Sequence, residues 1–460
     1  MAPFVHYLGD PDSIGHHAAP LRRRLEVSVA PSDQVIRQAR PGDVAVLCSE
    51  HFETHREAVG ELRRRRVATV YAIDGILEWR NAWENAPDER ACPWTMRPCL
   101  ADKVAVIGPS QARVLAAWGN ADRLELVGVP RFDDLVARRP DPTATLERIR
   151  DAKVLRVLVM TAKTPGFTPE QIETTARSLA DLRDYFSAAA ANGSAERPRF
   201  EVSWRLTAGL EERLGVRNAL DDLTGNDLAA RLGRADLVVT TPSTAMLEAM
   251  LLGKPVALLD YHGVPSLVPA AWQITDADRI APTLESMTLR DASGSRRWAW
   301  QQALLDDALW SRPDATDRMA DLLIELHREA LERIATGAPW EFTRRMLPVI
   351  AGGEGSYPAG PGLPFATLYP DHPDLGRDEL GALRSELAQA RRELAYVRSH
   401  LDQAHAVLDR WQRLPLVGSG LSLVRRWTLW RRRRAMPKPD ASSAVDVAPK
   451  TGIATTGGSR

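Results

Sequence analysis

The segment from residue 235 to residue 256 constrains the fold more than any other part of the chain. Residues 237–241 form a short apolar, β-branched run that is typical of a buried parallel strand. A proline and two hydroxyl residues then offer helix-capping chemistry, and residues 245–252 are strong helix formers. Gly253 ends that helix, and a further apolar run follows it. The segment therefore predicts a strand–helix–strand unit of a parallel sheet.

Ser243 and Thr244 place two hydroxyl groups at the start of the predicted helix. The free backbone N–H groups and the helix dipole at that end favour an anion such as phosphate. Glu248 lies one turn further along, where its carboxylate is able to accept hydrogen bonds from sugar hydroxyls. The pattern predicts a site for a phosphorylated, hydroxylated ligand. The alternative is an ordinary strand–helix unit whose hydroxyls only cap the helix.

This block resembles the nucleotide-sugar site in the C-terminal half of GT-B glycosyltransferases and of the related nucleotide-sugar 2-epimerases. In those proteins a strand, a small or hydroxyl-bearing turn, a helix with an inward Glu and a Gly-Lys-Pro exit surround the donor. Residues 253–255 are that exit in this chain. The resemblance implies that Ser243 and Thr244 face the diphosphate and that Glu248 faces the nucleotide ribose.

Length and composition agree with a globular protein of two or three domains. The 460 residues are 44% hydrophobic and 26% charged, and 60 basic residues balance 60 acidic ones, so overall charge gives no reason to expect nucleic acid as a partner. Three cysteines without metal-type spacing favour a reducing compartment. The N-terminus lacks a secretory pattern, and no run reaches the roughly 18 apolar residues of a membrane span. We therefore expect a cytoplasmic location.

Strand-like and helix-like segments alternate along the first two thirds of the chain, which predicts an α/β protein with two Rossmann-like, doubly wound parallel sheets. A proline-rich break at 139–142 separates them. Such halves form the GT-B plan, with ligand in the cleft at the carboxyl ends of the strands. We predict an acceptor domain at 1–138 and a nucleotide-donor domain at 150–336. The predicted strands are 4–8, 44–48, 67–73, 104–107 and 124–127, then 154–160, 200–204, 237–241 and 256–259.

A Gly/Pro-rich linker is predicted at 337–374 and a coiled coil at 375–412. Leucines recur every seven residues from Leu380 to Leu408, and small or apolar residues follow three positions after each, ending at Trp411. This a/d pattern predicts self-association through residues 380–411. A single amphipathic helix folded back on the globular body is the alternative.

A basic amphipathic segment is predicted at 413–438. Tryptophans stand among the arginines from Arg425 to Arg434, and the stretch carries no acidic residue. This combination is typical of a helix that binds an anionic membrane surface. A solvated basic tail is the alternative, and no other feature supports nucleic-acid binding. Residues 439–460 are small and polar and are predicted to be disordered. The expected location is therefore peripheral, at the inner face of the cell membrane.

Asp74 is the candidate catalytic base. It follows the strand predicted at 67–73 and precedes a glycine, at the edge where the cleft is expected. An inverting sugar transferase needs such a base for the acceptor hydroxyl. The chain also resembles CDP-glycerol-type transferases, which carry His-Gly at a comparable place, so the resemblance implies one base substituted for another. A turn residue is the alternative, and His16 and Glu78 are further candidates.

Lys163 and Arg205 follow the first two predicted strands of the second half and are candidate donor-phosphate ligands. Arginine suits phosphate because its planar fork makes two-pronged contacts. In CDP-glycerol-type transferases a basic residue at a similar strand end is followed shortly by His. Thr207 stands near that position here, so the chain departs from the pattern. Solvated surface cations are the alternative.

Residues 128–133 resemble the Gly-x-Pro-Arg-x-Asp sequence near the domain junction of the same families and support the fold. The resemblance implies no metal and no cofactor, because GT-B enzymes generally work without a metal and the nucleotide sugar is a substrate. The leading hypothesis is a metal-independent glycosyltransferase that moves a sugar from a nucleotide-diphosphate sugar to a lipid-linked acceptor or a cell-surface polysaccharide. The alternatives are a CDP-alcohol polyol-phosphate transferase, a nucleotide-sugar 2-epimerase, and an inactive GT-B scaffold acting through its coiled coil.

Overall fold

The computed structural model describes residues 3–51, 53–80, 96, 98–191, 198–216, 228–264, 267–268 and 270–342, and then 391, 394–395, 397–401 and 405–406. The chain divides into two compact units, Met1–Gln389 and Ala390–Arg460. Almost all of the predicted linker, most of the predicted coiled coil, and the whole of the predicted basic segment and tail lie outside the described residues.

Six parallel strands form the first sheet, in the order β2-β1-β3-β4-β5-β6. Every residue of β3 and β5 is buried, as expected for parallel strands that are covered by helices on both faces. The strands are β1 (Phe4–Leu8), β2 (Glu26–Ala30), β3 (Val44–Leu47), β4 (Ala68–Ala72), β5 (Lys103–Val106) and β6 (Leu124–Leu126). The helices between and after them are α1 (Pro11–Ala18), α2 (Ser32–Gln38), α3 (Glu53–Arg64), α4 (Pro109–Leu115) and α5 (Asp133–Ala137), with short 3₁₀ turns at Ala19–Arg23 and Pro130–Phe132.

Five parallel strands form the second sheet, in the order β11-β10-β9-β7-β8. They are β7 (Val154–Met160), β8 (Arg199–Arg205), β9 (Leu237–Thr240), β10 (Val256–Leu259) and β11 (Trp272–Ile274). The accompanying helices are α6 (Pro142–Asp151), α7 (Pro169–Ala191), α8 (Leu210–Leu214), α9 (Leu228–Arg234), α10 (Ala245–Leu251), α11 (Ile280–Met287), α12 (Ala292–Ala308) and α13 (Ala315–Thr336). The two predicted Rossmann-like parallel sheets are confirmed.

The strand–helix–strand unit predicted from residues 235–256 is present as β9, α10 and β10. Thr244 is the N-cap residue of α10, although its side chain makes no capping hydrogen bond. Gly253 ends the helix with a φ of +66°, and a Cβ there would lie 2.5 Å from Cγ of Pro140. Only glycine suits this position, because the backbone is left-handed and the proline leaves no room.

The last helix of the larger unit, α13, packs on the first sheet. Met319, Leu323 and Leu326 share one buried cluster with Tyr7 and Val44. The helix lies within the segment predicted as the second domain, yet its apolar face completes the core of the first.

A second shared core joins the two sheets. Ile107 and Phe132 of the first half cluster with Met246, Leu247 and Leu305 of the second. The two halves therefore meet through buried apolar surface as well as through the loops at the strand ends.

The described residues of Ala390–Arg460 are helical. Leu394, Val397 and Leu401 are 54–59% exposed, although they are large and apolar. The coiled coil itself stays a prediction. Among the helices described here, none has the length and apolar character needed to cross a membrane.

Candidate functional site

The two halves touch at the carboxyl ends of β4 and β9. Thr244 Oγ1 accepts a hydrogen bond from the backbone N–H of Ile76 at 3.2 Å. Gly75 lies so close that a Cβ would stand 1.9 Å from the same oxygen. Ser243 Oγ accepts a hydrogen bond from the backbone N–H of Ala245 at 3.3 Å. The Thr244 hydroxyl therefore links the two halves in this structure, at the position where the sequence predicts a diphosphate.

Arg131 and Glu248 form an ion pair across the cleft, with Nη1 of the arginine 2.9 Å from Oε1 of the glutamate. The guanidinium also stacks on the ring of Phe132, 4.1 Å from the ring centroid. Its buried Nε has no hydrogen-bond partner. The arginine of the 128–133 block therefore contacts the carboxylate of the predicted donor site.

His17 lies beside Asp74, with Nε2 3.5 Å from Oδ2. Burial, His16 and Arg131 lower the pKa of His17 to about 3, so the ring is neutral at physiological pH. Partial burial raises the pKa of Asp74 above 3.8, against smaller opposing effects of a backbone hydrogen bond, Arg131 and His16. The Asp74 side chain is 48% exposed, so solvent still reaches it. A carboxylate with a raised pKa beside a neutral imidazole is a suitable proton acceptor.

His16 is electrostatically coupled to both sides of the cleft. Burial and Arg131 lower its pKa, whereas Asp74 and Glu248 raise it. Its ring lies against that of His17, tilted by 42°, at a centroid distance of 3.9 Å. The structure thus brings the two base candidates, Asp74 and His16, into electrostatic range of Glu248.

Arg205 ends β8 and faces the same cluster. Its pKa is lowered first by burial and then by the nearby Arg231, while Glu248 and Glu211 raise it. Its buried Nε has no hydrogen-bond partner. Two like charges in a partly dry setting favour a bound anion, because an anion relieves both the repulsion and the lost hydration.

Lys163 is exposed on the loop after β7. Within the described residues, no hydrogen bond or ion pair joins it to the cluster formed by His16, Asp74, Arg131 and Glu248. The structure therefore brings together four of the predicted site residues, Asp74, His16, Arg205 and Glu248.

Two adjoining cavities open at Asp74. One, of about 400 Å³, is lined by Tyr7, His17 and Arg131 among others. The other, of about 570 Å³, includes His51 and Glu78 in its wall. Among the residues that the structure describes, no group of three or more His, Cys, Asp or Glu side chains is placed to hold a metal ion.

Comparison with known proteins gives similarity only at the level of structure. No family model and no curated protein sequence matches the chain. A variant of the wall teichoic acid polymerase TagF, soaked with CDPG, is 12% identical, with a TM-score of 0.44 over 72% of this chain and 89% of that chain. The S. aureus MnaA–UDP structure is 12% identical, with a TM-score of 0.47 over 74% of this chain and 100% of that one.

A putative UDP-N-acetylglucosamine 2-epimerase from Listeria monocytogenes is 14% identical, with a TM-score of 0.43 over 75% of this chain and 100% of that chain. At these identities the likeness is one of fold alone.

Proposed function

We propose that this protein is a GT-B-type glycosyltransferase that transfers a sugar from a nucleotide-diphosphate sugar to a hydroxyl acceptor. The observation that carries the proposal is the cluster at the cleft. A proton acceptor, Asp74, stands on one side, and partly desolvated cations, Arg131 and Arg205, stand beside Glu248.

In the proposed mechanism the acceptor occupies a cavity next to Asp74. The Asp74 carboxylate takes the proton of the acceptor hydroxyl as its oxygen attacks the anomeric carbon. Neutral His17 lies beside that carboxylate, with Nε2 3.5 Å from Oδ2. The bond between the anomeric carbon and the phosphate oxygen breaks, and the nucleoside diphosphate leaves with the electron pair.

The cations at the cleft stabilise that leaving group. Negative charge grows on the diphosphate as the bond breaks, and preorganised guanidinium groups are suited to it because they need no reorientation. Arg205 carries a buried, unpaired Nε that is available for this purpose. Arg131 is shared with Glu248, which keeps the latter in position for the ribose.

A CDP-alcohol polyol-phosphate transferase is the second candidate. It is favoured by Arg131, since this residue belongs to the Gly-x-Pro-Arg-x-Asp block and lies at the cleft. The two reactions release different products: sugar transfer releases a nucleoside diphosphate, whereas polyol-phosphate transfer from a CDP-alcohol releases CMP. Identification of the released nucleotide by chromatography separates them.

The donor site is tested by thermal shift of the full-length protein with UDP, GDP, CDP and TDP. A nucleotide at about 100 times its Kd adds roughly 2.7 kcal/mol of stability. We expect one of these nucleotides to bind, and we expect Arg205→Gln to raise its Kd at least tenfold. Arg199→Gln is the matched control, because Arg199 is exposed at the opposite end of the same strand. No shift with any nucleotide, or equal effects of both variants, would contradict the donor site and favour the scaffold alternative.

We further propose that the chain self-associates through residues 380–411. The exposed Leu394, Val397 and Leu401 fall at a and d positions of the heptad pattern, and a second copy would cover them. Light scattering of the full-length protein should give a mass above that of the monomer, which Leu394→Glu reduces. Ala395→Glu, at an outward position of the same helix, should leave the mass unchanged. A monomeric wild-type protein would contradict self-association through residues 380–411.

The acceptor is proposed to be lipid-linked or part of a growing surface polysaccharide, with the basic segment 413–438 holding the enzyme at an anionic leaflet. Co-sedimentation with vesicles measures this directly. Binding to vesicles of anionic lipid but not of neutral lipid is expected, and it should be lost when Arg431 to Arg434 are all changed to Gln. Equal binding to both vesicle types would overturn the proposal.

A further inference from the structure

Arg80 is a buried cation whose hydrogen-bonding capacity is not used up. Its side chain is 1% exposed and forms an ion pair with Glu78 through Nη2. The remaining donor nitrogens, Nε and Nη1, are buried without a partner. Leaving buried donors unpaired is unfavourable, so this arrangement is expected where a ligand supplies the acceptors.

A cavity of about 330 Å³ lies against this guanidinium, between the two halves. Ile76, Leu77 and Met246 give it apolar walls, and Asp260 supplies a carboxylate.

The position of the cavity connects the two parts of the proposed site. Pro242, directly before the Ser243 hydroxyl, lines it on the second half. Ile76, Leu77 and Glu78 line both this cavity and the larger one that contains Asp74. The cavity therefore adjoins both the Ser243 loop and the space at Asp74.

The charges in the wall favour a neutral ligand over an anion. Glu78 already compensates Arg80, and Asp260 adds a second carboxylate. His262, which follows β10, is uncharged at neutral pH, because burial, Arg80 and Arg177 lower its pKa to about 3. Arginine donors beside carboxylate acceptors and apolar walls match a sugar ring, whose hydroxyls donate and accept and whose C–H faces are apolar.

We propose that Arg80 is a specificity-determining residue that selects an uncharged, hydroxylated sugar as the transferred group. The inference rests on the proposed transferase function and adds to it the chemical class of the donor. Arg80 donates from Nε and Nη1 to sugar oxygens, and the carboxylates of Glu78 and Asp260 accept from sugar hydroxyls. A uronic acid is excluded because its carboxylate would face those two carboxylates.

The test is a set of Kd values for the full-length protein with the nucleoside diphosphate that binds, its glucose conjugate and its glucuronic acid conjugate. Wild-type protein should bind the glucose conjugate at least tenfold more tightly than the glucuronate. Arg80→Lys should raise the Kd of the glucose conjugate at least tenfold and change the Kd of the free nucleotide less than twofold. Arg177→Lys is the control, since Arg177 also acts on His262 but is exposed and does not line the cavity.

Glu78→Gln gives a second, independent variant, because it removes a negative charge and leaves Arg80 a hydrogen-bonding partner. In this variant the Kd values of the glucose and glucuronic acid conjugates should lie closer together than in the wild-type protein. Tighter binding of glucuronate by the wild-type protein would overturn the inference, as would an Arg80→Lys variant that affects the free nucleotide and the conjugate equally or leaves both unchanged. Failure of every nucleotide to bind the wild-type protein would instead contradict the proposed function, and the inference with it.

Discussion

At the scale of single residues, the cleft holds two carboxylates in different surroundings. The negative charge of Glu248 is compensated by Arg131, whose Nη1 lies 2.9 Å from Oε1 of the glutamate. This ion pair makes Glu248 a binding and positioning group. Asp74 has only the neutral His17 within ion-pair distance among the described residues, and burial raises its pKa. Different surroundings give chemically identical groups different roles, and Asp74 is the one suited to proton transfer.

Asp74→Asn is expected to lower turnover by about 100-fold or more, because the acceptor hydroxyl loses its base. Nucleotide binding should be unchanged. Asp278→Asn, an exposed position in the second half, serves as the control. Steady-state release of the free nucleotide measures the effect, and full activity of Asp74→Asn would exclude it as the base.

The pH profile gives a second check on Asp74. The carboxylate form is active, and its pKa is raised, so activity is present above that pKa and is lost as the pH falls through it. The acid limb of kcat/KM should therefore lie above pH 3.8, the ordinary pKa of Asp, and should disappear from the residual activity of Asp74→Asn.

The sequence was sufficient to place several candidate residues but not their partners. Asp74 follows β4 and Arg205 ends β8. The carboxyl ends of parallel strands line a common edge, so the positions of both residues could be predicted. The contact between Arg131 and Glu248 joins residues 117 apart, and nothing in the local pattern indicates it. Arg80 was missed because its burial depends on how the two halves close around the cavity.

At the scale of elements, strong apolar runs were recognised and weak ones were not. The fully buried β3, β5 and β9 were all predicted within a few residues. β2 was missed because it is an edge strand whose residues are mostly only half-buried and include Glu26 and Ser28. β11 has only three residues, too few to show a period. α4 ends at Leu115 and is followed directly by a π-helical turn at Ala116–Asn120, in which Gly119 is left-handed with φ 87°.

Asp236 lies just before β9 and connects three elements of the second half through hydrogen bonds. Its carboxylate accepts hydrogen bonds from the backbone N–H and the guanidinium of Arg156 in β7, and from Arg148 in α6. Asp236→Asn should lower the free energy of unfolding by about 2 kcal/mol, since charge-assisted hydrogen bonds to a buried group are lost. Chemical denaturation at pH 7 measures this, with Asp278→Asn again as the control. Equal stability of variant and wild type would show that the network is not stabilising.

The same residue makes a prediction about pH. Burial alone would raise the pKa of Asp236, but its hydrogen bonds with Arg156 and Arg148 lower it below 3.8. A group whose pKa is depressed on folding stabilises the protein above its unfolded pKa, and that contribution is lost as the pH falls through the folded value. The stability difference between wild type and Asp236→Asn should therefore shrink below about pH 3.8.

At the scale of the whole molecule, the chain crosses between its halves more than once. The segment between β6 and β7 passes from the first half to the second, and α13 returns to pack on the first sheet. Ile107 and Phe132 meanwhile share a core with the second half. Buried clusters that draw on both halves couple their stabilities, so the cleft is supported by one connected framework.

Leu323 in α13 tests that coupling. It is completely buried in the core of the first sheet, whereas the neighbouring Ile324 is 37% exposed. Leu323→Ala should cost about 3 kcal/mol, within the range for deleting a buried leucine side chain. Ile324→Ala should cost well under half of that. Hydrogen exchange should show β1 and β3 losing protection together with α13, because their side chains share one core. If only α13 lost protection, the helix would be a separable appendage, and the first half would be stable without it.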